Sequence, residues 1–456
     1  MPAARREAVP GGAAPPSLLS RALCYHGRMK DEKAGLLALL LAALLLPAAC
    51  SVRDPDGPAP PPDYRDVPLH SSIRDVQPMA GIVLWNDNRL SSRDYIQLEY
   101  SYVGYDEVAA EADPQTWSWA RVERLLASAA SHRHQAILRF FDTYPGRATA
   151  LPAFLKRLPD YRESRARSEG LWTFFPDWSH PALQDFVKEF FRRFAARYDR
   201  DPRLAFLQVG FGLWAEYHVY DPGEELGVNF PSKEFQAELL RVMESGFPTL
   251  HWSVSIDAAD ASRAPFASSP ELKQIPFGLF DDSFLCRDHG GYNHDCFAFF
   301  GQEKRLRSPV GGEFSYYSAY DQRHALDPSG PYGISFEEMA AQYNVSYMIG
   351  DDQPSFQTAE RIRQAGMAVG YRFRVTAFRA ATTSAQVTVE NQGIAPIYYD
   401  AWVAVNGVRA AESLKGLRPG ENKGFTIAAG GDAPVLTIEC DRLVAGQRIG
   451  FEADLD

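Results

Sequence analysis

At 456 residues the chain is longer than one ordinary core, so two domains and an N-terminal appendage are expected. Apolar residues make up 45% and charged residues 23%, proportions that suit a soluble globular protein. The formal net charge of −11 sets nucleic acid aside as a partner, because such a binder neutralises phosphates with a basic surface.

The chain opens with a segment unlike any targeting signal, and Met29 is the expected true start. Lys30 and Lys33 precede an apolar run, residues 34–49, that is shorter than the roughly 20 residues needed to span a bilayer. Small residues end it and Cys50 follows at once. A charged flank, an apolar centre and a small-residue end are the layout of a secretory signal. The Leu-Pro-Ala-Ala-Cys ending resembles a bacterial lipoprotein box, with Cys50 as the lipidated residue. Residues 1–50 are therefore expected to be a leader. Residues 51–77 are expected to be a tether, Pro-rich over 51–66 with few residues there able to join a core.

Residues 78–368 alternate short apolar runs with helical patterns, the signature of β/α units. The runs are Gly81–Trp85, Tyr95–Tyr100, Ala136–Phe141, Leu204–Phe211, Trp252–Ile256, Phe277–Phe280, Pro309–Phe314 and Val345–Ile349. Their near-continuous apolar character suits parallel strands covered on both faces. Eight such units predict an α/β fold, a (β/α)8 TIM-type barrel. Between them, Trp117–Ala130 has helical spacing, and Phe186, Phe190, Phe194 and Tyr198 form one stripe of Pro181–Tyr198. Ser232 is placed to cap Lys233–Glu244, and Ser335 with Glu338 forms a capping box for Phe336–Tyr343. Gly366 is placed to end Ala359–Ala365. Segment 142–180, with four prolines, reads as a long loop at the active face, and helices are weak between strands five and seven.

Over residues 369–456 the pattern changes to Tyr371–Arg379, Ala385–Glu390, Tyr398–Asn406, Lys423–Ala428, Val435–Cys440 and Arg448–Ala453. These short strands with Gly- and Asn-containing turns predict a small all-β sandwich.

In a β/α barrel the carboxyl ends of the strands carry the chemistry. Glu216, just past the fourth run, and Glu313, in the seventh, lie 97 residues apart, as three β/α units require. Two carboxylates across one pocket are what glycoside hydrolysis needs. Glu216 is read as general acid/base and Glu313 as nucleophile, with Gly311 and Gly312 allowing close backbone approach. Each also has a structural reading, as a rim carboxylate paired with an arginine. At other strand ends Arg139, Asp257, Asp282 and Asp352 are candidate substrate-binding groups, with Asp142, Asp281 and Asp351 beside them. Trp214, His218 and Tyr317 are further candidates for substrate contact, and Trp85 and Tyr316 for stacking. Cys286 and Cys296 bracket a polar loop, and an oxidising compartment would allow them to pair. The His and Asp residues of that loop match no standard metal spacing, so no metal and no cofactor are expected. Nucleophile-elbow, phosphate-loop and His-Glu-x-x-His signatures are not found in the sequence.

Several stretches together resemble a family. They are Ile137-Leu138-Arg139-Phe140, Pro176-Asp177-Trp178, Arg197-Tyr198-Asp199-Arg200-Asp201-Pro202-Arg203-Leu204, Gly212-Leu213-Trp214-Ala215-Glu216-Tyr217-His218 and Phe280-Asp281-Asp282-Ser283-Phe284. The chain resembles bacterial secreted proteins of unknown function that join a glycosidase-like barrel to a C-terminal β-sandwich. It departs in having Ala215 and Tyr217 where relatives have Gly and Trp. It also lacks the Asn that precedes the acid/base glutamate in the large retaining clan of barrel glycosidases. The resemblance implies a glycosidase-like fold, and hydrolase activity by analogy.

The expectation is a lipid-anchored extracytoplasmic glycoside hydrolase of the periplasm or cell surface, acting on a poly- or oligosaccharide without a cofactor. The alternative is a surface lipoprotein that binds carbohydrate and turns nothing over.

Overall fold

The computed structural model describes residues 63–109 and 116–456. The expected leader, Cys24, the lipidation site Cys50 and residues 51–62 of the expected tether lie outside the described residues. Among the described residues no helix is long and apolar enough to cross a membrane.

Two short strands come first, β1 (Arg65–Asp66) and β2 (Leu69–Ser71). Eight parallel strands then close a barrel: β3 (Gly81–Trp85), β4 (Leu98–Gly104), β5 (Gln135–Phe141), β8 (Leu204–Gln208), β9 (Trp252–Ser255), β10 (Gly278–Phe284), β11 (Val310–Phe314) and β12 (Tyr347–Ile349). Between β5 and β8 the chain forms an antiparallel hairpin, β6 (Ser164–Ser168) with β7 (Leu171–Phe175). The barrel strands are the eight apolar runs, and the fold is the expected (β/α)8 type.

Period two divides each strand between two environments. Ile82, Leu84, Leu138, Phe140, Val310 and Phe314 join the shell under the helices. Val83, Tyr100, Ile137, Phe206 and Tyr347 point into the barrel and pack in a second core. Helices α1 (Ala120–Ser131), α3 (Pro181–Tyr198) and α4 (Lys233–Gly246) cover the outside. In α3 the expected stripe is buried, with the Phe190 and Phe194 rings 4.7 and 5.1 Å from Phe140. Edge-on ring pairs of this kind add about 0.5–1.5 kcal/mol each beyond their buried area. His180 caps α3 by accepting from the Ala182 N–H, and Ser232 caps α4 from the Phe235 N–H.

Several expectations need correction. The 142–180 segment holds a one-turn helix, α2 (Ala153–Lys156), as well as the β6–β7 hairpin. β6 is polar and largely exposed, so it carries no apolar run to mark it as a strand, and β7 is recognised only through its pairing with β6. β4 begins at Leu98, not Tyr95, and residues 86–97 pass from β3 to β4 through turns without a helix. Between β9 and β10 there are only short 3-10 turns, whereas α5 (Tyr292–Phe300) and α6 (Gln302–Arg307) precede β11. After α7 (Ala319–His324), α8 (Phe336–Tyr343) opens on the expected capping box. Helix α9 (Ala359–Met367) runs through Gly366 instead of stopping there. A Cβ on Gly366 would meet Val76 at 2.9 Å, so packing, not helix termination, places a glycine at that position.

The C-terminal region forms two sheets from β13 (Phe373–Ala380), β14 (Ala385–Asn391), β15 (Ala401–Val405), β16 (Val408–Arg409), β17 (Asn422–Ile427), β18 (Leu436–Cys440) and β19 (Phe451–Leu455). One sheet runs β17-β14-β13-β19-β2, with β1 on β13, and the other runs β16-β15-β18. Val375, Val387 and Phe425 from the first share a core with Val403 and Ile438 from the second. Residues 65–71 thus belong to this sheet and not to a free tether. Val67, between β1 and β2, is buried, and its N–H donates to the Phe378 carbonyl at 2.9 Å. Val67→Asp would bury an unpaired charge in that core, and is expected to lower stability by about 3 kcal/mol in urea unfolding. An unchanged midpoint would show that these strands contribute nothing.

Candidate active site

The mouth of the barrel is organised around Arg139 of β5, whose side chain is 1% exposed. Alternation turns it inward with Tyr102 of β4, Gln208 of β8, and Phe280 and Asp282 of β10. Its Nε donates to Gln208 Oε1 at 2.8 Å, and Gln208 in turn donates to the Tyr347 hydroxyl at 2.9 Å. Nη1 donates to the Tyr102 hydroxyl at 2.9 Å, the Trp214 carbonyl at 3.3 Å and Glu216 Oε1 at 3.3 Å. Nη2 donates to Asp282 Oδ1 at 3.0 Å. The guanidinium carbon lies 4.2 Å from the centre of the Phe280 ring, within cation–π range. One cation thereby links Glu216 and Asp282, two of the predicted site residues. Burial opposes its charge, but Asp282, Tyr100, Tyr102 and Glu216 outweigh burial and keep it firmly protonated.

Glu216 and His218 are presented by a tight turn after β8. Gly212, Trp214, Ala215 and Tyr217 all have positive φ, at 76°, 53°, 59° and 67°. Such conformations cost on the order of 1 kcal/mol each for non-glycine residues, and they persist where the surroundings over-determine them. Here the Trp214 N–H donates to Thr143, Tyr217 to Phe211 and Leu213 to His218, all at 2.9–3.0 Å. Gly210 is required because a Cβ would lie 1.9 Å from the Ala215 carbonyl oxygen. The turn ends the fourth strand at Gln208, three residues before the expected boundary at Phe211. Its product is a short relay: His218 Nδ1 pairs with Asp257 at 2.8 Å, and Nε2 lies 3.9 Å from Glu216 Oε2. Burial would lower the His218 pKa, but Asp257 and then Glu216 hold it above the ordinary imidazole value.

Glu313 is buried, two residues beyond Gly311 on the inward face of β11. Burial holds the Tyr100 hydroxyl in the lumen well above the usual phenol range, with Arg139 opposing that shift. The two glycines before it serve the fold, not a ligand. A Cβ on Gly311 would strike the Tyr347 ring at 2.0 Å, and one on Gly312 the Asp281 backbone at 2.0 Å.

The remaining predicted residues divide. Trp214 is buried beside the Tyr144 ring, 6.1 Å away, and its carbonyl serves Arg139. Tyr317 is 77% exposed and lines a cavity of about 250 Å³ with Cys286, Arg287, Asp288, Asp321 and Tyr332. Asp351 accepts from the Trp85 N–H and the Asn88 amide, tying the loop after β3, and Asp352 opens a 3-10 turn at Gln353–Ser355. Asp281 faces away from Asp282 and is bound by His289 and Asn293, each at 2.9 Å. Asp142 is buried behind β5, where desolvation pushes its pKa to about 7 against a hydrogen bond from Thr143. Cys286 and Cys296 are separate free thiols, contrary to the expected pairing. Cys286 lies in the turn after β10, 3.9 Å from the Asn293 amide oxygen, and Cys296 is buried within α5. Burial pushes both thiols up to about 12.

Sequence reasoning did not single out Tyr102, Gln208 or Asn293. The first two fall at inward positions level with Arg139, and the register of the strands would have found them. Among the described residues, a group of Glu99, His132 and His134 has the spacing to share a metal ion, and it lies outside this mouth.

Because His218 is held more basic in the fold than when unfolded, its protonation stabilises the fold below the unfolded pKa. That contribution is lost as pH rises through the folded pKa. The stability difference between wild type and His218→Gln should therefore be larger at pH 6 than at pH 8.5. An NMR midpoint for His218 at or below about 6.5 contradicts this assignment. Asp142 has the opposite consequence at high pH: its ionisation penalises the fold as pH rises from about 4 to 7. Asp142→Asn is expected to stabilise the protein at pH 8 by on the order of 4 kcal/mol and to be near neutral at pH 4, measured by chemical denaturation.

No protein-family model matches the chain, and no curated protein matches it in sequence. Among solved structures, it is similar to the catalytic domain of beta-amylase from Paenibacillus polymyxa, with 9% identity and a TM-score of 0.39 over 60% of this chain and 91% of that one. It is similar to xylanase 10B from Thermotoga maritima, with 11% identity and a TM-score of 0.39 over 59% and 81%. A GH30 endoxylanase from Clostridium papyrosolvens C71 gives 9% identity and a TM-score of 0.41 over 83% and 97%. The barrel assignment itself rests on the strand pairing.

Proposed function

We propose that this protein is a glycoside hydrolase whose working carboxylates are Glu216 and Glu313, acting from an extracytoplasmic position on a lipid anchor at Cys50. The observation that carries this reading is the setting of Glu216. It is held at the carboxyl end of a barrel strand between a buried arginine and a histidine–aspartate pair. Glu313 lies on the same side of β11 as Gly311, which faces the Tyr347 ring inside the barrel.

The division of labour differs from the one read in the sequence. The Arg139 guanidinium compensates a negative charge on Glu216, which suits the nucleophile or general base. Glu313 then takes the proton-donor role at the leaving-group oxygen. Asp257 orients His218 through Nδ1, so that Nε2 faces Glu216 and the substrate side. Asp282 shares Arg139 and limits how far the guanidinium follows Glu216 when a sugar enters. The exposed Tyr317 ring offers a stacking face for a sugar, and Asp352 a hydroxyl acceptor at the rim.

A second reading keeps the same mouth as a carbohydrate-binding surface without turnover. It is favoured by Arg139 itself, which already satisfies both Glu216 and Asp282. Reducing-sugar release from a polysaccharide panel separates the two. Under the hydrolase reading, Glu216→Gln and Glu313→Gln each lower kcat by about 10²–10⁴-fold while binding is kept. Equal activity in all three proteins removes this site assignment, and binding without release by wild type selects the second reading.

A further inference from the structure

Glu99 is the second residue of β4, and alternation turns it to the outside of the barrel, opposite Leu98 and Tyr100. There is no helix between β3 and β4, and the turn following α1 packs against this buried strand face. His132, Arg133 and His134 form that turn. Arg133 takes a left-handed φ of 66°, where glycine is the usual residue at a helix end. The turn brings both imidazoles onto one oxygen: His132 Nδ1 lies 2.8 Å and His134 Nδ1 3.0 Å from Glu99 Oε1. Glu99 and His134 are buried, while the His132 side chain is 30% exposed. The other carboxylate oxygen, Oε2, accepts from the Asn86 amide at 2.6 Å.

We infer that Glu99, His132 and His134 form a binding site for a divalent transition-metal ion of the zinc type, ligated by two imidazole nitrogens and one carboxylate oxygen. All three donor atoms lie within 4.8 Å of one another. Tetrahedral zinc with bonds of about 2.0–2.1 Å holds its ligand atoms roughly 3.3 Å apart, so small side-chain rotations open the space an ion needs. An N2O donor set suits zinc, nickel or copper better than magnesium or calcium, which take oxygen. Asn86 fixes the carboxylate from behind, as outer partners of metal ligands do. The partial exposure of His132 leaves an approach for the ion and for a water in the fourth position.

The site is structural in its placement. Both histidines follow α1, Glu99 lies on β4, and Asn86 belongs to the loop after β3. An ion here pins the helix-free first unit of the barrel to the second. The lumen residues Arg139, Glu216 and Glu313 are on the other side of the β-wall, so the inference is independent of the hydrolase reading. Without an ion, the same three groups would be a hydrogen-bonded triad in which both Nδ1 atoms carry protons.

The test is zinc itself, added to the full chain after chelation and dialysis. One zinc per chain should be retained by mass spectrometry, and the melting temperature should rise with zinc. Asn86→Ala should weaken zinc binding by about 10–100-fold, and His132→Gln should weaken it further. His132 is the partly exposed ligand, so its variant reports on the ion without emptying a buried position. Wild-type protein that retains no zinc and shows no thermal shift overturns the inference, whatever the variants do. Zinc bound equally well by His132→Gln overturns it too, since the ion would then be held elsewhere.

Discussion

A buried guanidinium is the constraint on which the rest of the mouth depends. Taking a cation out of water costs several kcal/mol even after the protein relaxes, so it persists only when its donors are filled and its charge is balanced. Arg139 meets both requirements by drawing on five residues. Gln208 and Tyr102 take hydrogen bonds, Glu216 and Asp282 balance the charge, and Phe280 supplies an aromatic face. Each of those partners is fixed in turn, Gln208 by Tyr347 and Glu216 by the turn that carries it. The lumen is therefore a polar layer built on an apolar one, with little freedom for any one carboxylate to turn away.

The turn at 209–218 is the second half of that arrangement. Three non-glycine residues with positive φ in four positions would be a poor choice for stability alone. What the strain achieves is placement: it reverses the chain within one turn, so that Glu216 and His218 both face the lumen while Leu213 and Tyr217 fill the shell. The carbonyl of Trp214, freed by the same geometry, becomes a ligand for Arg139. Backbone strain and side-chain electrostatics thus support each other, since the ion pair holds the turn and the turn presents the ion pair.

Much of the barrel was legible because a buried parallel strand has a simple signature. All eight apolar runs became barrel strands, and the Phe-rich stripe of α3 and the caps at Ser232 and Ser335 stand as read. What was hidden depended on partners distant in the chain. β1 and β2 are two and three residues long and acquire their meaning from β13 and β19, more than 300 residues later. Gly366 carries a helix-ending residue type, yet its neighbour across the fold, Val76, decides its role. Asp281 and Asp282 look alike in sequence, but strand alternation sends one to His289 outside and the other to Arg139 inside. The pairing of Cys286 with Cys296 failed for a related reason, since a short separation says nothing of which way a helix turns its thiol.

The C-terminal sheets bear on the site from below. Arg442, next to β18, is buried and donates to the carbonyls of Asp199 and Leu204 at 3.0 and 2.7 Å, beneath the start of β8. Gln135, at the start of β5, donates to the Arg442 carbonyl at 2.7 Å. Tyr399 stacks on Phe206 in the lower lumen, with ring centres 6.1 Å apart, and its hydroxyl donates to the Ala205 carbonyl. Phe206 stacks in turn on Tyr347, the residue that holds Gln208 beneath Arg139. A continuous column of packed rings and hydrogen bonds therefore joins the C-terminal sheets to the guanidinium. The lower end of the barrel is filled by this column, so a ligand reaching the carboxylates arrives from the strand ends. The C-terminal sheets accordingly act on the mouth by fixing the floor on which the polar layer stands.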